Sequence, residues 1–272
     1  MKGLSFTILK LGEVENDEAL NLSGLSWATV DCKDRPHVWL RLCSISILVH
    51  HPDVGYFLYD TGNYIGNTED RLPPGLKDLA AYYIDRKDLL DYQLQKVGLT
   101  VQDIWGIVLS HGHYDHAGGL GFFSGTPAGK NIYLSRVELE TAMLEAHRSP
   151  DGYANAYFRG DYEFPDLQFH TVEEGEFLPG VTLISLPGHT AGSLGMVLHC
   201  EENTYIFPSD ALYTARNFGP PPVVPGLIAD TRGFYQSVAK VKALQETYGA
   251  QIIYPHDSQQ LATLQTAPYF YR

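Results

Sequence analysis

Histidine is scarce in this chain, 11 of 272 residues, yet three fall inside the run His111-Gly112-His113-Tyr114-Asp115-His116. Imidazole nitrogens bind Zn, Fe, Ni and Cu, and a carboxylate adds a hard oxygen ligand, so such a cluster suits a metal ion. His111 and His113, two residues apart, project to one side of an extended segment. Asp115 and His116 project differently after a turn, so one tight turn can serve two adjacent metals. The competing reading is a solvated polar turn. A histidine pattern this dense arises by chance on the order of once in a thousand chains of this length.

The elements around the cluster explain how more polar residues could reach it. His111 follows the apolar run Ile104 to Leu109, and four other residues hold equivalent places. His189 follows Val181 to Leu186 through Pro187-Gly188, and Asp210 follows Thr204 to Phe207 through Pro208-Ser209. His256 follows Gln251 to Tyr254 through Pro255, and Asp60 follows Tyr56 to Tyr59. Loops at strand ends are where α/β sheets carry ligands. Taken singly, each of these residues reads as structural; the histidine cluster makes them candidates. His37, His50, His51, His147, His170 and His199 lack such a context and read as structural or solvent-facing.

Further along, Val38 to Val49 and Tyr56 to Tyr59 read as an antiparallel hairpin, and Asn131 to Leu134 and Leu194 to Leu198 as strands. Residues 63 to 81, with Gly66, Pro73, Pro74 and Gly75, read as a loop, and 85 to 97 as a helix. Ser135 is placed to cap a helix over Arg136 to Ala146, with Glu138 three residues on completing the pattern of a capping box. A second helix is expected from about Phe234 to Tyr248. Residues 149 to 166 read as a loop or short-helix excursion. Its aromatics Tyr153, Tyr157, Phe158, Tyr162 and Phe164 suit either an apolar pocket wall or a packing cluster. Strands with helices between them, with no linker and no repeat, predict one layered α/β domain over residues 1–272.

Composition narrows the partners. The chain is 44% hydrophobic and 12% aromatic, enough for a sizeable core. Thirty-two acidic against 19 basic side chains leave a net charge of −13, which repels phosphate backbones and anionic membrane surfaces. Neither nucleic acid nor a membrane is therefore expected, and a small neutral or weakly charged substrate is. Cys32, Cys43 and Cys200 form no CxxC pair and read as buried free thiols of a reducing compartment. No stretch approaches the ~20 apolar residues of a membrane span, and Lys10 and Glu13 interrupt any signal-like segment, so the expectation is a cytoplasmic protein.

The segments Ser110-His111-Gly112-His113-Tyr114-Asp115-His116-Ala117-Gly118-Gly119, Leu186-Pro187-Gly188-His189-Thr190, Asp210-Ala211-Leu212-Tyr213 and Pro255-His256-Asp257 resemble, in order and spacing, the metallo-β-lactamase superfamily. Within it the similarity is closest to the N-acyl-homoserine lactonases, from about Val38 to His256. The resemblance implies a four-layer αββα sandwich. It implies a first metal on His111, His113 and His189, a second on Asp115, His116 and His256, and Asp210 bridging the two. The ions would be divalent, Zn foremost, with Fe, Mn or Co also compatible with the set. The implied activity is opening of a lactone ring, that of an N-acyl-homoserine lactone in a quorum-quenching role, by a metal-bridging hydroxide. Tyr213 would contact the substrate carbonyl and Asp115 would carry a proton to the leaving alkoxide. Asp60, within Asp60-Thr61-Gly62, would orient a histidine ligand or form an Asx turn. A homodimer is the expected assembly.

Other branches fit less well. True β-lactamases lack the aspartate at Asp210. Glyoxalase II, a thioesterase, carries a basic helical extension after its last histidine, whereas here the residues after His256 include one basic side chain, Arg272. Another ester, lactone or thioester is the alternative substrate. Nucleases of the superfamily conflict with the charge. A flavodiiron protein would have Glu at His113, and a di-iron oxidoreductase or sulfur dioxygenase stands as the alternative reaction class. The chain departs from the lactonase pattern at Ser209 and Pro255, where Gly is usual. Phe218-Gly219-Pro220-Pro221-Pro222 is expected to form a rigid loop bordering the pocket.

Overall fold

Side-chain alternation sets the layers of this protein, whose computed structural model describes residues 1–25, 27–63, 74–148 and 156–272. In β2 (Trp39–His51), Ile45, Ile47 and Val49 turn toward one core and Leu48 toward another. In β10 (Leu194–His199), Leu194, Met196 and Leu198 enter the first of these cores, while Val197 faces a third. Period-two alternation with both faces apolar means that each sheet is covered on both sides.

Seven strands make the first sheet: β1 (Ser5–Asp17), β2, β3 (Gly55–Tyr59), β4 (Ala80–Tyr83), β5 (Ile104–Val108), β6 (Ile132–Ser135) and β7 (Phe169–Val172). Their spatial order is β4-β1-β2-β3-β5-β6-β7, antiparallel up to β3 and parallel from β3 to β7. The second holds β8 (Gly175–Leu178), β9 (Val181–Ser185), β10, β11 (Thr204–Phe207) and β12 (Gln251–Ile252), in the order β12-β11-β10-β9-β8. Phe6, Phe57 and Phe207, all buried, meet between the sheets, with the Phe6 and Phe207 rings edge to face at 5.0 Å. Outside the first sheet, Leu48, Leu58, Ile107 and Ile132 pack with Leu90 and Leu94 of the Leu90–Gln95 helix and Ala142 and Ala146 of the Arg136–Arg148 helix. Outside the second, Ile184, Val197 and Ile206 pack with Phe234, Val238 and Val241 of the Thr231–Tyr248 helix. The result is the four-layer αββα sandwich expected from the sequence.

Several local expectations are revised. The loop over 63 to 81 contains a helix, Pro74–Leu79, and the edge strand β4, while 64–73 lie outside the described residues. The helix expected over 85 to 97 shrinks to Leu90–Gln95, because Asp85 instead closes a capping box on the turn Arg86–Asp88. Cys43 and Cys200 are buried free thiols as expected, but Cys32 is exposed. Among the described residues no helix is long and apolar enough to cross a membrane.

Candidate metal centre

All the candidate residues arrive at one end of the sandwich. β3, β5, β9, β11 and β12 end toward the same edge, and the loops that follow them carry Asp60, His111 to His116, His189, Asp210 and His256. A backbone bond from Leu194 N to Ser110 O, 2.8 Å, ties the two sheets together at that edge. The turn anticipated within the histidine motif is a single helical turn, Tyr114–Ala117, with His113 as its N-cap. It places Asp115 and His116 in a different ligand group from His111 and His113.

The structure brings all seven expected ligands together in two groups: His111, His113 and His189, and Asp115, His116, Asp210 and His256. Within each, one potential ligand atom per residue lies within 4.8 Å of the others. Asp210 faces both. Its Oδ1 lies 3.0 Å from His256 Nε2 and 3.2 Å from His116 Nε2. Its Oδ2 lies 3.5 Å from His189 Nε2 and 3.9 Å from His111 Nε2. His113 Nδ1 is 2.9 Å from His189 Nε2. Asp115 Oδ2 stands 3.7 Å from His116 Nε2 and 4.0 Å from His256 Nε2, and is the more exposed of the two carboxylates.

The outward-facing nitrogens are anchored. His116 Nδ1 donates to Asp60 Oδ2 at 2.9 Å, and His256 Nδ1 to the Cys43 carbonyl at 2.8 Å. His111 Nδ1 lies 2.9 Å from Ser110 Oγ, which donates to Asp60 Oδ2 at 2.8 Å and accepts from Ser209 Oγ at 2.7 Å. Asp60 Oδ1 accepts from Ser110 N at 2.7 Å, so this carboxylate orients a histidine rather than closing a local turn. With Nδ1 holding the proton, Nε2 presents a lone pair. His111 Nε2 and His116 Nε2 are fully buried and have no hydrogen-bond partner among the described residues. Buried nitrogens left unsatisfied in this way, both faced by the Asp210 carboxylate, fit a divalent metal.

The electrostatics agree. Burial, helped by the neighbouring His116 and His113 rings, holds the His111 pKa well below its ordinary value, as a neutral metal-ligating imidazole requires. Burial and His189 do the same to His113. Burial opposes the charged form of His116, yet Asp210, Asp115 and Asp60 raise its pKa well above normal. The acidic side of the site thus draws positive charge, as protons here or as cations.

Tyr213 projects into the same cavity, its hydroxyl 2.9 Å from His189 Nδ1. Burial, then Asp210 and Asp115, push its pKa well above that of a free phenol, so it stays a hydrogen-bond donor. The cavity wall also includes Val14, Asn16, Asn21, Leu42, Tyr82 and Leu227, which sequence reasoning missed, since none of them lies in a motif. The aromatics after residue 155 act as packing: Phe158 stacks on Tyr114 at 4.9 Å and Tyr157 sits edge-on to His113 at 4.6 Å. Tyr153 lies outside the described residues. Leu227 borders the cavity, whereas Phe218 packs against the outer core.

The sequence and the fold have counterparts among known proteins. The profile of the metallo-beta-lactamase superfamily matches residues 40–262. The N-acyl homoserine lactonase AiiB of Agrobacterium fabrum is 31% identical over 277 residues, 96% of both chains. AiiB of Rhizobium rhizogenes is 31% identical over 276 residues, again 96% of both. Among solved structures, Bacillus thuringiensis AiiA with N-decanoyl-L-homoserine at its active site superposes over the whole of both chains with a TM-score of 0.80 at 24% identity. AidC, a dizinc quorum-quenching lactonase in complex with a product, covers 98% of this chain and 92% of its own at a TM-score of 0.66 and 20% identity. Those two likenesses establish a shared fold; the profile match and the full-length relatives place this chain in the metallo-β-lactamase superfamily, alongside its N-acyl homoserine lactonases.

Proposed function

We propose that this protein is a dinuclear metal-dependent hydrolase that opens the ring of an N-acyl-homoserine lactone. The observation that carries the reading is Asp210, whose two carboxylate oxygens are divided between the two ligand groups. His111, His113 and His189 would hold one ion and Asp115, His116 and His256 the other, with Asp210 shared. The mixed nitrogen and oxygen donors suit Zn, the metal named for AidC. Two such ions lower the pKa of coordinated water and polarise an ester carbonyl.

The remaining chemistry falls to the protein's own groups. With His189 Nδ1–H directed at Leu227 O, 3.1 Å, and at the Tyr213 oxygen, the Tyr213 proton is left to bond the substrate's carbonyl oxygen as negative charge develops there. Asp115 lines the cavity beside Tyr213, where its carboxylate can take the proton given up by the water that bonds to the lactone carbonyl carbon and pass it to the ring oxygen as the ester C–O bond breaks. Val14, Leu42 and Leu227 supply an apolar wall for an acyl chain. The substrate assignment also rests on the full-length similarity to the two AiiB proteins.

The test is proton release from a short-chain and a long-chain N-acyl-homoserine lactone, with metal counted per chain. Two metals with rapid ring opening are expected. Two metals without lactone turnover would keep the hydrolase centre and discard the substrate.

A further inference from the structure

Glu138 looked, from its spacing after Ser135, like the second half of a capping box. The structure uses it differently. Ser135 Oγ does accept from Glu138 N, at 3.0 Å, but the Glu138 side chain is fully buried and points beneath the metal centre. One carboxylate oxygen, Oε1, accepts from Gly112 N at 2.9 Å and from the Tyr157 hydroxyl at 2.8 Å. The other, Oε2, accepts from Thr190 Oγ1 at 2.6 Å and from Gly192 N at 3.2 Å. Burying a carboxylate is costly unless its lone pairs are satisfied. Here four donors satisfy it, and no Lys or Arg pairs with it among the described residues.

What those donors belong to matters most. Gly112 lies between His111 and His113, and Thr190 follows His189. One side chain therefore grips both loops that supply the three-histidine group, one from each sheet. Packing leaves no room for a side chain at either glycine, Gly192 lying against Glu138 itself and Gly112 against the neighbouring tyrosines. A Cβ on Gly192 would lie 2.3 Å from Glu138 N and 2.5 Å from Ser135 Oγ; one on Gly112 would lie 2.6 Å from the Tyr162 hydroxyl. Ser135 Oγ in turn donates to Gly192 O at 2.7 Å.

We propose that Glu138 is a positioning residue that sets the spacing of His111, His113 and His189 by clamping their two loops together. The proposal rests on the dinuclear reading above. Its ligand group is served by Glu138, whereas the Asp115, His116, Asp210 and His256 group is held through Asp60 and the Cys43 carbonyl. Loss of Glu138 should therefore weaken one metal site and spare the other. Second contacts of this kind are worth about 10–100-fold in metal affinity.

The experiment is zinc titration against a chromophoric chelator on the full-length protein, comparing wild type, Glu138→Gln and Val241→Ala. Glutamine keeps the shape but turns an amide donor toward existing donors. Val241, buried in the core outside the second sheet, controls for lost stability. The expected result is two binding steps in wild type and in Val241→Ala, with one step weakened about 10–100-fold in Glu138→Gln. Unchanged steps in Glu138→Gln, or equal weakening in Val241→Ala, would overturn the proposal. Should Glu138→Gln not fold, Thr190→Val removes a single donor and should weaken the same step several-fold; an unchanged step there overturns it too. A wild type that binds one metal would overturn the dinuclear reading, and Glu138 is then judged on that one step.

Discussion

The imidazoles of His111, His116, His189 and His256 each have Nδ1 committed to a group outside the ligand set, and the committed partner decides what the other nitrogen can do. Asp60 accepts a hydrogen bond from His116 Nδ1, the Cys43 carbonyl one from His256 Nδ1 and Ser110 Oγ one from His111 Nδ1. Ser209, which departs from the usual glycine at its position, adds a hydroxyl to this string through Ser110 while sitting at φ +48°. Against such fixed ligands, the shared carboxylate is the sensitive point. Asp210→Asn replaces one of its two oxygens with an amide donor, so one ligand group loses its acceptor. Metal content should drop below two per chain and lactone turnover by orders of magnitude; a near-normal rate with full occupancy would remove the bridging role. Tyr213→Phe tests a different layer. It should keep both metals and lower kcat about 100-fold, the usual loss for one oxyanion donor, with a smaller effect on KM. Unchanged kinetics would reduce Tyr213 to packing.

Among the elements, the turn after β3 and the helical turn Tyr114–Ala117 act as one unit. Thr61 N and Oγ1 both donate to His116 O, at 2.7 and 2.8 Å, and Gly119 N donates to Gly62 O at 3.1 Å. A Cβ on Gly119 would lie 2.4 Å from Thr61 O. Gly119→Ala should therefore push the Asp60 turn off His116, costing about 1–3 kcal/mol, a loss readable as a lower Tm, and weakening metal at the group containing His116. This clasp also shows what was legible in the chain. His111 stood out through the dense histidine motif, and His189, Asp210 and His256 became candidates beside it because each follows an apolar run closed by a turn, the form that a strand packed on both faces takes. β1 escaped notice because Phe6 and Ile8 serve the core between the sheets while Leu9 and Leu11 serve the outer one, and an irregularity between Lys10 and Glu13 breaks the period. β7 and β8 escaped because they are four residues each, with only two apolar side chains apiece. Glu138 carried a signal, but the wrong one. A capping-box spacing is local, whereas its four partners lie 19 to 54 residues away along the chain.

For the molecule as a whole, pH and metal test how the two sheets hold together. Burial raises the Cys43 thiol to about 12 and the Cys200 thiol to about 11, against about 8.5 for a free thiol. Burial also raises Tyr59, whose hydroxyl donates to Leu194 O at 2.6 Å across the core. Groups whose pKa is raised on folding contribute stability below their unfolded pKa and lose it as pH climbs toward the folded one. Thermal stability should therefore decline from about pH 9 upward, and a flat alkaline profile would contradict the burial of these groups. Metal acts at the end of this core where Cys43 and Tyr59 lie, beside His256 and Asp60. His111, His113, Asp115 and His116 come from the first sheet, and His189, Asp210 and His256 from the second, so bound ions would cross-link the layers at the edge where His111 Nε2 and His116 Nε2 have no hydrogen-bond partner among the described residues. A ligand that binds only the folded state at 100 to 1,000 times its Kd adds about 2.7–4.1 kcal/mol. Chelation should therefore lower Tm by several degrees. It should also speed amide exchange first in the loops after β5, β9 and β11, before the Phe6–Phe207 core opens. Exchange that instead quickens uniformly would mean that the ions do not join the sheets locally.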